Sequence, residues 1–115
     1  MYSTELLKGT LKTILLKLLA NQGKMYGYEI TQQVKLLTAD KIQLTEGALY
    51  PTLHKLEADG LVTSEKVSIG KRVRKYYLLT PKGKKATTDK VNEFFDFVKT
   101  LQLLLDPDLN TQSNK

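Results

Sequence analysis

Apolar residues at Leu7, Leu11, Ile14 and Leu18, with Leu15 and Leu19 beside them, recur at three- and four-residue spacing. That period predicts an amphipathic helix from about Thr4 to Ala20, ended by the turn-forming run Asn21, Gln22, Gly23 and Lys24. Ile30, Val34 and Leu37 repeat the spacing and predict a shorter helix over Tyr28 to Leu37, where Gly27 lets another backbone pass close. A third helix follows from Leu49, Leu53 and Leu56, with Thr45 as its N-cap and Gly60 as its left-handed stop. Pro51 lies inside it and cannot donate to Gly47, which predicts either a kink or an irregular first turn.

Beyond Gly60 the pattern changes. LVTSEKV and RVRKYYLL are rich in β-branched and aromatic residues and flank Ser68-Ile69-Gly70-Lys71, which predicts a β-hairpin. Tyr76 and Tyr77 must point to opposite faces of it, one inward and one outward. Thr80 and Pro81 read as an N-cap followed by a first-turn proline, opening a fourth helix that runs to about Leu105. Three helices, a hairpin and a last helix make a mainly α (α+β) chain in the order of a winged helix-turn-helix. The expected organisation is a winged helix-turn-helix unit over residues 1–80, a C-terminal helix over 81–105 and a disordered tail over 106–115.

Charge sharpens this picture more than bulk composition does. The 115-residue chain carries a net +6, but residues 66–90 alone hold nine cations and one acid, Asp89, so the rest of the chain sums to −2. A basic segment on an otherwise near-neutral small domain is an electrostatic footprint for a polyanion. The chain has no cysteine, which excludes disulfides and thiolate metal sites and fits a reducing compartment. Lys12, Lys17, Lys99 and Gln102 interrupt the apolar stretches, and MYSTELLKG lacks the apolar core of a leader, so a soluble, cytoplasmic, non-membrane protein is expected.

In a helix-turn-helix the second helix of the pair enters the DNA major groove, whose base edges carry a distinct donor and acceptor pattern. The third helix is the candidate. With its leucines inward, 100° per residue puts Gly47, Pro51, His54 and Ala58 on the opposite face, flanked by Ala48, Tyr50 and Lys55. Small residues at its start, with Thr45 as cap, would let backbone amides approach phosphates, although Glu46 opposes simple anion binding. Tyr50 sits about 100° from the core leucines, so its ring could instead pack at the helix boundary. Lys71, Arg72, Arg74 and Lys75, with Tyr76, follow Gly70 where a wing tip would meet the DNA backbone. Each feature alone also fits an ordinary solvated surface.

On the fourth helix, Val91, Phe94, Val98, Leu101 and Leu105 fall at spacings of 3, 4, 3 and 4, with Phe95 alongside. Such a heptad seam, coming after a complete small domain, is read as a contact with a second subunit, helped by the first helix.

The strings TEGALYPTLHKLEADGLV and GKRVRKYYLLTPKG, with YGYEI upstream, resemble the signature of PadR-like regulators over roughly Leu6 to Gly83. Tyr50 and Pro51 match that family's tyrosine-proline pair in the recognition helix. Gly70, Arg72, Arg74 and Lys75 match its wing, and Tyr77, Leu79 and Thr80 match the return strand. Leu78 departs from the pattern, since many relatives carry a polar residue there, and packing against the fourth helix would account for it. The resemblance implies a dimeric regulator, usually a repressor, on a palindromic operator in double-stranded DNA, with the last helix packed against the partner subunit. It also implies a further reading, a multidrug-sensing repressor that holds a small hydrophobic effector between Phe94 and Phe95 at the dimer centre.

An enzyme is the opposing class. His54 is the single histidine, so no nucleophile and base pair, transition-metal cluster or phosphate loop can be assembled, and no cofactor or metal is expected. A winged-helix adaptor that binds a protein or a membrane surface instead of DNA shares the fold, and the wing cations argue against it.

Overall fold

The computed structural model describes residues 2–106 and 108. In chain order the elements are α1 (Thr4–Gln22), β1 (Met25–Tyr26), α2 (Gly27–Leu37), α3 (Glu46–Ala58), β2 (Val62–Ile69), β3 (Arg72–Leu79) and α4 (Pro81–Leu105). This is a mainly α winged helix-turn-helix. Apart from Asp106 and Asp108, the tail expected over 106–115 lies outside the described residues.

The helix ends follow local chemistry. Ser3, Thr45 and Thr80 each cap a helix by accepting from a backbone N–H in its first turn, and Pro81 occupies the first turn of α4. α1 runs two residues past the expected Ala20, and Gly23, at φ +87°, turns the chain out of it. α3 passes through Pro51 as one continuous element. The proline is exposed, so the Gly47 carbonyl that loses its donor lies where water can serve it.

β1 was not foreseen, since a two-residue strand has no period to read. It pairs antiparallel with the far side of β3, giving a three-stranded sheet in the order β1-β3-β2. β2 and β3 pair from Val62↔Leu79 out to Ile69↔Arg72, leaving Gly70 and Lys71 as a two-residue turn with Gly70 at φ +61°.

Leu15, Leu16 and Leu19 of α1, Ile30 and Val34 of α2, and Leu49, Leu53 and Leu56 of α3 bury their side chains together with Val62 and Tyr77 from the sheet. Truncating any of these leucines to alanine removes about 2–5 kcal/mol. α4 is locked to the end of α3 by backbone approach. A Cβ on Gly83 would lie 2.9 Å from the Leu61 carbonyl carbon, and Thr80 N–H donates to that carbonyl at 3.1 Å. α4 then runs along α1.

Candidate nucleic-acid interface

The inward turn of Leu49, Leu53 and Leu56 leaves Gly47, Ala48, Pro51, His54, Lys55 and Ala58 exposed on one outer face of α3. This is the face that helical spacing assigns. Thr45 holds the start of the helix, its Oγ1 accepting from Ala48 N–H at 3.2 Å.

Tyr50 is half-buried and packs against the core, with its ring 6.4 Å from that of His54. It lies over the first turn of α2, where a Cβ on Gly27 would overlap the Tyr50 hydroxyl and stand 2.8 Å from Cζ. The space at Gly27 therefore admits a side chain, not the backbone expected there. Tyr50, His54, Val73, Lys75 and Tyr77 line a groove of about 380 Å3 between α3 and the wing.

The pleat sorts the wing residues by face. Val73, Lys75 and Tyr77 share the side that carries the buried Tyr77, whereas Arg72, Arg74 and Tyr76 share the other. Tyr77 is thus the inward tyrosine. Its phenol titrates above its ordinary range because burial penalises the phenolate, an effect that Lys75 opposes. Lys75 Nζ lies 3.7 Å from Glu57 Oε1 of α3 and 5.3 Å from the centre of the Tyr77 ring.

On the outer side, Tyr76 packs edge-on to Tyr26 of β1 with ring centres 5.4 Å apart, and the Arg74 guanidinium sits 4.3 Å above Tyr26. Lys24 Nζ reaches Glu65 Oε1 at 2.6 Å and lies 5.4 Å from the Tyr76 ring. The hydrogen bond and charge of Glu65 raise the Lys24 ammonium above its usual range. Lys71 and Arg72 stand exposed at the tip.

The expected wing cations are therefore not one cluster. Lys71 and Arg72 face solvent, Arg74 stacks on Tyr26, and Lys75 turns toward α3. Sequence reasoning gave Lys24, Tyr26 and Glu57 no part in the wing, and their contacts there depend on the unforeseen β1 and on the angle between α3 and the sheet.

On α4, Val91, Phe94, Val98 and Leu101 are half-covered, and the side chains around them include Leu7, Thr10 and Ile14 of α1. Phe95, Phe97, Leu104 and Leu105 remain 65%, 57%, 76% and 71% exposed. The heptad seam is thus shared between the chain's own α1 and open surface. Leu78 lines a cavity with Thr87 and Val91 of α4, the neighbourhood expected for it. Among the described residues no group of side chains could hold a metal ion, and no helix is long and apolar enough to cross a membrane.

The sequence profile of the family described as transcriptional regulator PadR-like matches residues 15–89. The transcriptional regulator Rv3488 of Mycobacterium tuberculosis is 40% identical over 70 residues, which are 61% of this chain and 63% of that protein, just under two thirds of its length. A transcriptional regulator from Clostridium thermocellum superimposes with a TM-score of 0.80 at 29% identity, covering 89% of this chain and 96% of that one. Bacillus subtilis PadR, solved in complex with operator DNA, gives a TM-score of 0.64 at 32% identity over 70% of this chain and 46% of that one.

Proposed function

The chain belongs to the PadR-like family of transcriptional regulators, and from that premise we propose that it is a cytoplasmic homodimeric repressor that binds a palindromic operator in double-stranded DNA. Residues 1–80 form the DNA-binding unit, and residues 81–105 the dimerisation helix. α3 enters the major groove with Gly47 and Ala48 close to the backbone, and His54, Lys55 and the edge of Tyr50 directed at bases or phosphates. Lys71 and Arg72 at the wing tip neutralise phosphates.

The observation that carries this reading is that His54 on the outer face of α3 and Arg74 and Lys75 of the wing line one groove, with the exposed Lys71 and Arg72 at the tip of the same hairpin. The crystal structure of Bacillus subtilis PadR with operator DNA supports it by likeness. Phe95, Phe97, Leu104 and Leu105, open to solvent on one helix, support the second subunit. Selection of genomic fragments by the purified protein, followed by fluorescence anisotropy on the recovered sequence and on a scrambled duplex, tests the reading. Enrichment of an inverted repeat is expected, and equal binding to both duplexes contradicts it.

An effector site is favoured by one further observation. An apolar cavity of about 440 Å3 lies between α1, α2 and α4, lined by Ile14, Leu18, Val34, Ile42, Phe94 and Phe95. A flat hydrophobic compound fits its size and lining. Calorimetric titration with such a dye, with Phe94→Ala as control, tests it.

A further inference from the structure

We propose that Glu57 is a positioning residue that ties the recognition helix to both strands of the wing, and that Lys75 is its internal counter-ion and not a phosphate contact. The proposal rests on the DNA-binding reading given above. Glu57 lies in the last turn of α3. Its Oε2 accepts from Ser64 Oγ of β2 at 2.7 Å, and its Oε1 lies 3.7 Å from Lys75 Nζ of β3. One carboxylate therefore spans from α3 to two adjacent strands, at residues offset by two positions in register and so on the same face, because Ser64 pairs with Tyr77 and Lys66 with Lys75.

The charges require such a partner. Lys66 and Lys75 are directly opposed across the strands and share a face, an arrangement in which like charges repel. Glu57 offsets that repulsion from the helix side, while the Tyr77 ring sits beneath the Lys75 ammonium. Ser64, Glu57 and Lys75 are all partly covered, with 40% of the Lys75 side chain and 34% of the Glu57 side chain accessible, whereas Lys71 and Arg72 are exposed. In a winged helix the angle between wing and recognition helix decides whether both reach the same stretch of duplex. A short hydrogen bond and an ion pair at the root of the wing set that angle.

The test is the salt dependence of binding to a random duplex, because each phosphate neutralised by a cation contributes about −0.9 to the slope of log affinity against log salt. Arg72→Ala serves as the reference phosphate contact and should make the slope shallower by about that amount. Lys75→Met should leave the wild-type slope unchanged, since Glu57 already holds that charge. Glu57→Gln keeps an oxygen for Ser64 but frees Lys75, so the slope should steepen by up to about 0.9. The double variant Glu57→Gln, Lys75→Met should return to the wild-type slope. Melting curves of all four variants ensure that folded protein is compared. A shallower slope for Lys75→Met, or no change for Glu57→Gln, overturns the proposal while leaving DNA binding intact. A flat slope for the wild type overturns the DNA-binding reading itself.

Discussion

The phenol of Tyr50 on α3 covers the bare Cα of Gly27 at the start of α2, closely enough that a methyl group on Gly27 would overlap the Tyr50 hydroxyl. The two helices of the helix-turn-helix are thereby set against each other through one glycine and one tyrosine. Tyr50 acts first as a spacer within the motif, and only its outer edge is available to DNA.

Gly27→Ala should therefore cost about 1 kcal/mol, at the low end for overpacking because the obstructing group is the far end of a side chain. In a Tyr50→Ala background the same change should fall within a few tenths of a kcal/mol of neutral. Urea denaturation of the four proteins measures the coupling. Equal costs of Gly27→Ala in both backgrounds show that Tyr50 does not occupy that space in solution.

Most of the architecture was legible because it rests on period and punctuation. Leu49, Leu53 and Leu56 announced α3, Thr80 and Pro81 announced the start of α4, and Gly70 announced the hairpin turn. What escaped depends on contacts between elements distant in sequence. β1 exists because Met25 and Tyr26 meet Tyr77 and Tyr76, some fifty residues on. The wing cations read as one cluster because they are adjacent in sequence, whereas the pleat sends Arg74 toward Tyr26 and Lys75 toward Glu57. Similarly, the heptad on α4 marks an apolar stripe, shared with the first helix as expected, without saying which of its residues α1 covers and which stay open.

That partial cover redirects the test of the dimer. Substituting Phe94 or Val98 disturbs packing against α1, so the exposed residues are the better probes. Phe95→Glu with Leu105→Glu, both exposed on the heptad side of α4, should convert a micromolar dimer to a folded monomer, read by light scattering together with circular dichroism. A dimer that survives both charges excludes this face of α4 as the interface.

The buried Tyr77 predicts a specific alkaline instability. Burial raises its folded-state pKa above the ordinary value of 10.0. Below that pH the phenol is neutral in both states and its contribution is fully present. As pH climbs toward the folded-state value the unfolded chain loses its proton first, and stability is lost. Tyr77→Phe should lower the melting temperature less steeply than wild type between pH 9.5 and 11, as followed by thermal scans at each pH. Parallel decline in the two proteins assigns the effect to other groups.

The most direct test of the regulator reading is the affinity of wild type and His54→Ala for the selected operator and for a scrambled duplex of equal length, across a salt series. The account predicts a steep negative salt slope on both duplexes for the wild type, set by wing cations that see only phosphates. It further predicts that His54→Ala weakens operator binding by about 1–3 kcal/mol while binding to the scrambled duplex stays nearly constant. Wild-type affinity that is indifferent to salt and equal on the two duplexes would contradict it.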